Sequence, residues 1–384
     1  MKLAFLCNNM KSTNGVERVL SQPLSLLADS GEYDVYLITY NQYGAPFSFP
    51  ISEKVHYIDL ATRYIERCSY HGLFQYFDRF FSGRSFKRLF HHWVETIEPD
   101  VVTCIDMHLA DLKAVLSLKI DVKKVVECHC GLSSYYVDLE NIENRCKRNR
   151  ARNLKQKLIR TIRKFDRIVV MTEAERDECN LGDKVFFIPN MLVSYPEKIP
   201  EHTHTYHRII SVGRYAYQKG YDLLIEAWKL INNKYSDWSL HIYGSHDGDM
   251  GNYDLLKRTI EDNKMQNVFL HQASDDVYSK YAENDFYVMS SRYESFGLVL
   301  IEAMSCGLPI ISFDCIFGPR SILADGENGI LVPPSDVEKM ADSISFMIEH
   351  TDERIRMGLN ARTAVLKYRS ETIISYWRQF YQFV

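Results

Sequence analysis

Twice along the chain, short runs rich in Val, Ile and aromatic residues alternate with longer segments of helical period, and this repeated alternation constrains the fold more than any other feature. Parallel strands cannot be joined by a tight turn and need a crossover of a dozen or more residues, so the pattern predicts parallel sheets covered by helices. In the first half, strands are predicted at 3–7, 34–39, 55–60, 101–105, 124–128, 167–171 and 185–188. Residues 190–207 break the alternation with two prolines, many polar groups and no apolar period, as an interdomain linker does. The pattern restarts with strands at 208–212, 240–243, 268–270, 286–289, 309–313 and 330–332. At 384 residues there is material for two domains, since a single core rarely keeps growing beyond ~250 residues. The expected class is α/β, two Rossmann-like domains facing each other across a cleft. They span 1–193 and 208–366, with a linker at 194–207 and a last helix, 367–384, packing back on the first domain.

A chain that is 46% hydrophobic and 25% charged is neither disordered, nor collagenous, nor a small disulfide scaffold. No apolar run approaches the ~18 residues of a membrane span, and the run Leu3 to Cys7 ends at Asn8 and Asn9. Neither a spanning helix nor a signal peptide is expected, and the chain is expected in the cytoplasm. Nine cysteines without a CxxC pair read as buried thiols. There is no GxGxxG after the first strand and no GxxxxGK[ST], which weakens dinucleotide and P-loop readings.

Ligands of open parallel sheets sit at the carboxyl ends of strands, so the loops after strands are the place to look for chemistry. Glu294 and Glu302 lie eight residues apart, straddling a strand end and a helix. Eight residues are a little over two turns at ~3.6 per turn, so both acids can line one side of a site. Gly297 at the helix start permits close approach of a ligand, and the free amides there suit a phosphate. The alternative, one solvated glutamate at either end of an ordinary helix, stays open on spacing alone. After the first strand of the second half, Arg214 and Lys219 place a fork and a point charge on one loop, which together can neutralise a diphosphate. Plain surface charges are the alternative. Asp247-Gly248-Asp249 has the form of a divalent-metal pair, but a Gly- and Asp-rich solvated loop is the better reading.

The Glu-x7-Glu segment, the loop Ser211-Val212-Gly213-Arg214 to Lys219-Gly220, and Asn328-Gly329-Ile330-Leu331-Val332-Pro333-Pro334 resemble family 4 of the retaining glycosyltransferases. Asn14-Gly15-Val16-Glu17-Arg18 and Ile188-Pro189-Asn190 resemble it too, in the family's order and over nearly the whole chain. The resemblance implies the GT-B fold and a metal-independent, retaining sugar transfer from a nucleotide-diphosphate donor, with no cofactor. It implies that Glu302 holds the ribose diol, Glu294 reaches sugar hydroxyls, and Arg214 and Lys219 grip the diphosphate. It also implies that Gly15 brings amides toward the phosphates and that His129 stands beside the donor sugar, although a structural histidine at a strand end is the competing reading. One departure stands out: the relatives' Gly-Pro-x-Glu is here Gly318-Pro319-Arg320-Ser321, so Gly318 is left to supply a tight turn and nearby amides. A noncatalytic nucleotide-sugar-binding subunit and a nucleotide-sugar epimerase are the alternatives.

Residues 1–193 carry a net charge of +3 and residues 194–384 one of −7. Much of the positive charge is concentrated between Arg145 and Arg167, a local +10, with Leu154, Leu158, Ile159 and Ile162 at helical spacing. Arg63 to Trp93 interleaves further arginines with ten aromatics. This mixture predicts docking on an anionic membrane surface and an acceptor that is a glycan, lipid-linked, with a solvated helix and core aromatics as the alternative. The acidic second half, and the lack of a nucleic-acid module, argue against nucleic acid as a partner.

Overall fold

The computed structural model describes residues 1–12, 15–62, 74–105, 108–129, 145–199, 205–246 and 250–384. The chain forms two compact units, Met1–Met191 with Glu371–Val384, and Leu192–Ser370.

The sheet of the first unit comprises Lys2–Cys7 (β1), Asp34–Thr39 (β2), His56–Asp59 (β3), Val101–Cys104 (β4), Lys123–Cys128 (β5), Arg167–Val170 (β6) and Val185–Phe187 (β7). Its order is β3-β2-β1-β4-β5-β6-β7, and the strands are parallel throughout. Helices cover both faces of such a sheet, so its central strands are apolar along their length rather than alternating; β4 is buried at every residue. Phe86 and Phe90 of helix Phe74–Ile97 pack into this core against Ile38, Val102 and Val126. The final helix, Ser370–Phe383, buries Ile373, Trp377, Phe380 and Tyr381, with the Phe380 ring edge-on to Phe186 at 5.0 Å. Arg378 pairs with Glu32 at 2.9 Å, and Arg167 donates to the Phe383 carbonyl at 3.2 Å.

The second sheet comprises Arg208–Val212 (β8), Ser239–Gly244 (β9), Val268–Gln272 (β10), Phe286–Met289 (β11), Ile310–Phe313 (β12) and Gly329–Val332 (β13). Its order is β10-β9-β8-β11-β12-β13, again all parallel. Trp228 of helix Tyr221–Ile231 and Ile344 of helix Val337–Glu349 fill its core with Ile242 and Phe286. Residues 192–207, expected largely as linker, count with this unit as far as they are described. Ser194 N donates to the Tyr278 hydroxyl at 3.2 Å, Tyr206 N donates to Asp285 at 3.2 Å, and Arg362 donates to the Pro196 carbonyl at 2.6 Å. Backbone groups bonded in this way make the segment a strap on the second unit, although its composition is that of a tether.

The cationic stretch forms helix Arg145–Ile162, but its buried face differs from the expected one: Lys155, Leu158, Thr161 and Ile162 are inside, while Leu154 is exposed. Burial pushes the Lys155 ammonium down to about 8, partly countered by Glu178. Of the aromatic stretch, residues 63–73 lie outside the described residues, as do the side chains of 74–82. Phe86 and Phe90 are core residues, and Trp93 is exposed. Among the described residues no helix is long and apolar enough to cross a membrane.

Candidate active site

In the second unit the carboxyl ends of the neighbouring strands β8, β11 and β12 lie at one edge of the sheet, and six of the eight residues singled out in the sequence follow them. Lys219 closes a single 3-10 turn, Tyr217–Lys219, and its stem lies over Gly213, where an added Cβ would come 3.0 Å from the Lys219 Cε. Its ammonium is ion-paired with the Glu294 carboxylate, which also accepts from the Ser291 hydroxyl at 3.0 Å. Glu294 is 8% exposed. The phosphate-gripping cation and the sugar-side acid implied by the resemblance are therefore each other's partners in this structure. Arg214 is exposed, and its guanidinium has no partner among the described residues.

Glu294 and Glu302 do not share a helix. The helix begins only at Leu298, after Gly297 in a left-handed conformation (φ +91°), while Glu294 is bridged in parallel to Phe317. Both acids are nevertheless buried, which removes the reading as solvated helix ends. Glu302 is 1% exposed and accepts from the buried Tyr281 hydroxyl at 3.3 Å. Gly318 donates its N–H to the Glu294 carbonyl at 3.2 Å, and a side chain there would meet the Phe296 carbonyl at 2.6 Å. Gly318 thus packs behind the Glu294 segment. Ser321, which stands where relatives have glutamate, donates to the Phe317 carbonyl at 2.8 Å.

The turn carrying Lys219 is sewn to the segment after β11. Successive carbonyls of Tyr217, Gln218 and Lys219 accept from the Arg292 guanidinium (2.8 Å), the Arg292 N–H (2.8 Å) and the Ser290 hydroxyl (2.8 Å). Arg292 also forks onto Asp222 at 2.9 and 2.6 Å and lies 3.9 Å over the Tyr217 ring. Burial is the largest single influence and disfavours the Arg292 charge, yet hydrogen bonding and Coulomb attraction to Asp222, together with Tyr217, outweigh it and the pKa is raised. Sequence reasoning missed Ser291 and Arg292. Ser291 adjoins Glu294 in the chain, but nothing in the sequence pairs Arg292 with Asp222, 70 residues away.

The remaining two residues belong to the first unit. Gly15 is exposed and opens helix Gly15–Asp29; Asn14 lies outside the described residues. His129 follows β5, and its Nε2 is 3.0 Å from Glu127 Oε2, both side chains being buried. The pair lines a mainly apolar cavity with Phe5, Leu24, Asn190 and Trp377, so the Ile188-Pro189-Asn190 motif is brought beside His129. Glu127 was also missed; residues i and i+2 of a strand share a face, which is the signal that pairs it with His129. Asp247-Gly248-Asp249 lies outside the described residues, and among the described residues no three His, Cys, Asp or Glu side chains gather as metal ligands do.

Residues 194–364 match the profile of the family described as glycosyl transferases group 1. The match to group 1 glycosyl transferases thus lies in the second unit. Over nearly its whole length it is also similar to an uncharacterized glycosyltransferase of Haemophilus influenzae, 27% identical over 98% of this chain and 99% of that one. The amylovoran biosynthesis glycosyltransferase AmsD of Erwinia amylovora is 25% identical over 98% of both chains. Among solved structures, sucrose-phosphate synthase from Thermosynechococcus elongatus superposes with a TM-score of 0.79 at 19% identity, over 99% of this chain and 98% of that one. Anabaena HepE, solved with UDP and glucose, gives 0.71 at 16% identity, over 100% and 98%. The two parallel-sheet α/β units have the GT-B fold of these solved structures.

Proposed function

We propose that this glycosyltransferase moves a sugar, with retention and without a metal, from a nucleotide-diphosphate donor to a hydroxyl of a glycan acceptor. The observation that carries the reading is the part-buried Lys219–Glu294 pair on the same strand-end loop as the exposed Arg214, with the buried Glu302 on the helix that follows Glu294. A diphosphate brings charge enough to draw Lys219 from Glu294, and the freed carboxylate then accepts sugar hydroxyls. Glu302 accepts from the ribose diol. Arg214, Lys219 and the amides beyond Gly297 spread the charge that develops as the anomeric C–O bond breaks. A departing phosphate oxygen takes the acceptor's proton, and the new bond forms on the face the leaving group vacates. Gly15 and His129 keep the phosphate-side and sugar-side roles that the resemblance gives them.

AmsD, named for biosynthesis of a polysaccharide, supports a growing glycan as acceptor, and HepE supports UDP as the first nucleotide to try. We extend the acceptor to a lipid-linked glycan presented at an anionic membrane, where the cationic helix Arg145–Ile162 is drawn by roughly 1 kcal/mol per basic residue. Incubation with UDP-, GDP- and ADP-sugars, with and without glycan acceptors and followed by mass spectrometry, tests the reaction. Acceptor-dependent glycosylation is the expected result; an isomerised free donor, or no turnover with any donor, overturns it. Flotation with anionic and neutral liposomes tests docking, and failure to float with anionic vesicles at low salt ends that part.

A further inference from the structure

The turn Tyr217–Lys219 is one 3-10 turn long, too short to hold an ammonium in place by itself. Its position comes from outside: its three carbonyls accept from Ser290 and Arg292, and Gln218 donates back to the Tyr293 carbonyl at 3.0 Å. Among the described donors to the turn's carbonyls from across the seam, Arg292 alone carries a charge. Its fork to Asp222 fixes it to the first turn of helix Tyr221–Ile231, its Nη1 to the Tyr217 carbonyl, and its plane to the Tyr217 ring. Three of its five N–H donors go to two carboxylate oxygens and a carbonyl, and its face lies on a ring, so Arg292 is engaged inside the protein, whereas Arg214 is exposed.

We infer that Arg292 is a positioning residue for phosphate recognition: it holds the Tyr217–Lys219 turn so that Lys219 meets the β-phosphate of the donor, and it touches no substrate itself. Lysine cannot replace it, because a point charge cannot fork to Asp222 and lie flat on Tyr217 at once. The inference rests on the phosphate grip proposed for Lys219. It adds that the grip is set from Arg292 and Asp222, at the start of the neighbouring helix.

The test is calorimetry with whichever of UDP, GDP and ADP raises the melting temperature, and with the matching monophosphate. It uses the wild type, Arg292→Ala, Arg292→Lys, Lys219→Ala and the double variant Lys219→Ala/Arg292→Ala. Asp222 is half-exposed, so its loss of partner is tolerable, and a melt of each variant confirms folding. Arg292→Ala and Arg292→Lys should each weaken diphosphate binding about tenfold and leave monophosphate binding within about twofold, since only the diphosphate needs Lys219. In the Lys219→Ala background the Arg292→Ala change should cost nothing further, a coupling that general loosening of the fold does not produce. Equal losses for mono- and diphosphate, or a full additional loss in the double variant, overturn the inference. Diphosphate affinity kept in Arg292→Ala but lost in Lys219→Ala overturns it alone. Affinity kept in Lys219→Ala, or no nucleotide bound at all, brings down the phosphate grip and the inference with it.

Discussion

Gly220 joins the Lys219 turn to helix Tyr221–Ile231 with φ +62°, and a Cβ built on it would stand 2.1 Å from the Ser290 carbonyl oxygen. Gly220→Ala therefore carries two costs. The left-handed conformation costs an L-residue about 1–2 kcal/mol. Forcing backbone apart in a packed region costs about 1–3 kcal/mol more, and the atom in the way is main chain that cannot rotate aside. The sum, about 2–5 kcal/mol, corresponds to a fall in melting temperature of about 4–20 °C for a unit of this size. Gly326 supplies the control. Its φ is +74°, and a Cβ there meets nothing within 4 Å, so Gly326→Ala bears the conformational cost alone, about 2–8 °C. Scanning calorimetry on both variants isolates the collision, and nucleoside-diphosphate titration should show weakened binding for Gly220→Ala only, because the displaced Ser290 belongs to the seam that holds Lys219. Equal melting-temperature losses in the two variants would refute the reasoning.

Lys219→Ala leaves the buried Glu294 without its cation and should destabilise by about 3 kcal/mol, with Lys219→Ala/Glu294→Gln melting higher than Lys219→Ala; the reverse order would deny that the pair matters to the fold. Arg214→Ala, at an exposed position, should change stability by under about 0.5 kcal/mol yet lower the transfer rate about 10²-fold, and an unchanged rate removes Arg214 from the proposed chemistry. Glu302→Gln should weaken nucleotide binding about 10- to 100-fold through loss of charge-assisted hydrogen bonds, read by calorimetry against the wild type. Burial, aided by His271 and Arg208, pushes the His241 imidazole down to about 4 from an ordinary 6.5. The unfolded chain gains this proton as the pH falls through 6.5 and the folded chain only near 4, so its contribution is complete above about 6.5 and is lost progressively down to about 4. Melting temperature against pH should fall less steeply in His241→Gln than in the wild type; parallel curves would assign the acid sensitivity elsewhere.

The strands were readable from sequence because the central strands of a parallel sheet are buried on both faces. β2, β8 and β11 have the expected bounds, and most others differ by a residue or two at their ends. Loops carry no such period, and there reading failed in instructive ways. The spacing of Glu294 and Glu302 suggested one helix face, but Gly297 delays the helix to Leu298 and the two acids reach their buried positions by different routes. Composition made residues 194–207 a tether, whereas hydrogen bonds from Ser194 and Tyr206 and to Pro196 tie the described part to the second unit. The helical period placed Leu154 inside, yet Lys155 occupies that face. Contacts across 70 or more residues, Lys219 with Glu294 and Arg292 with Asp222, depend on which strands become neighbours, and a linear pattern does not encode that.

Helix Ser370–Phe383 belongs to the first unit although roughly 180 residues of the second precede it in the chain. At a synthesis rate of ~5–20 residues per second, the ribosome delivers this helix about 10–40 s after the rest of its sheet. During that interval the apolar wall that Trp377, Phe380 and Tyr381 will cover, including Phe186 and the cavity side of Leu24, stands open to chaperones and to other nascent chains. The later-made unit is thus complete first, and the earlier-made one closes last.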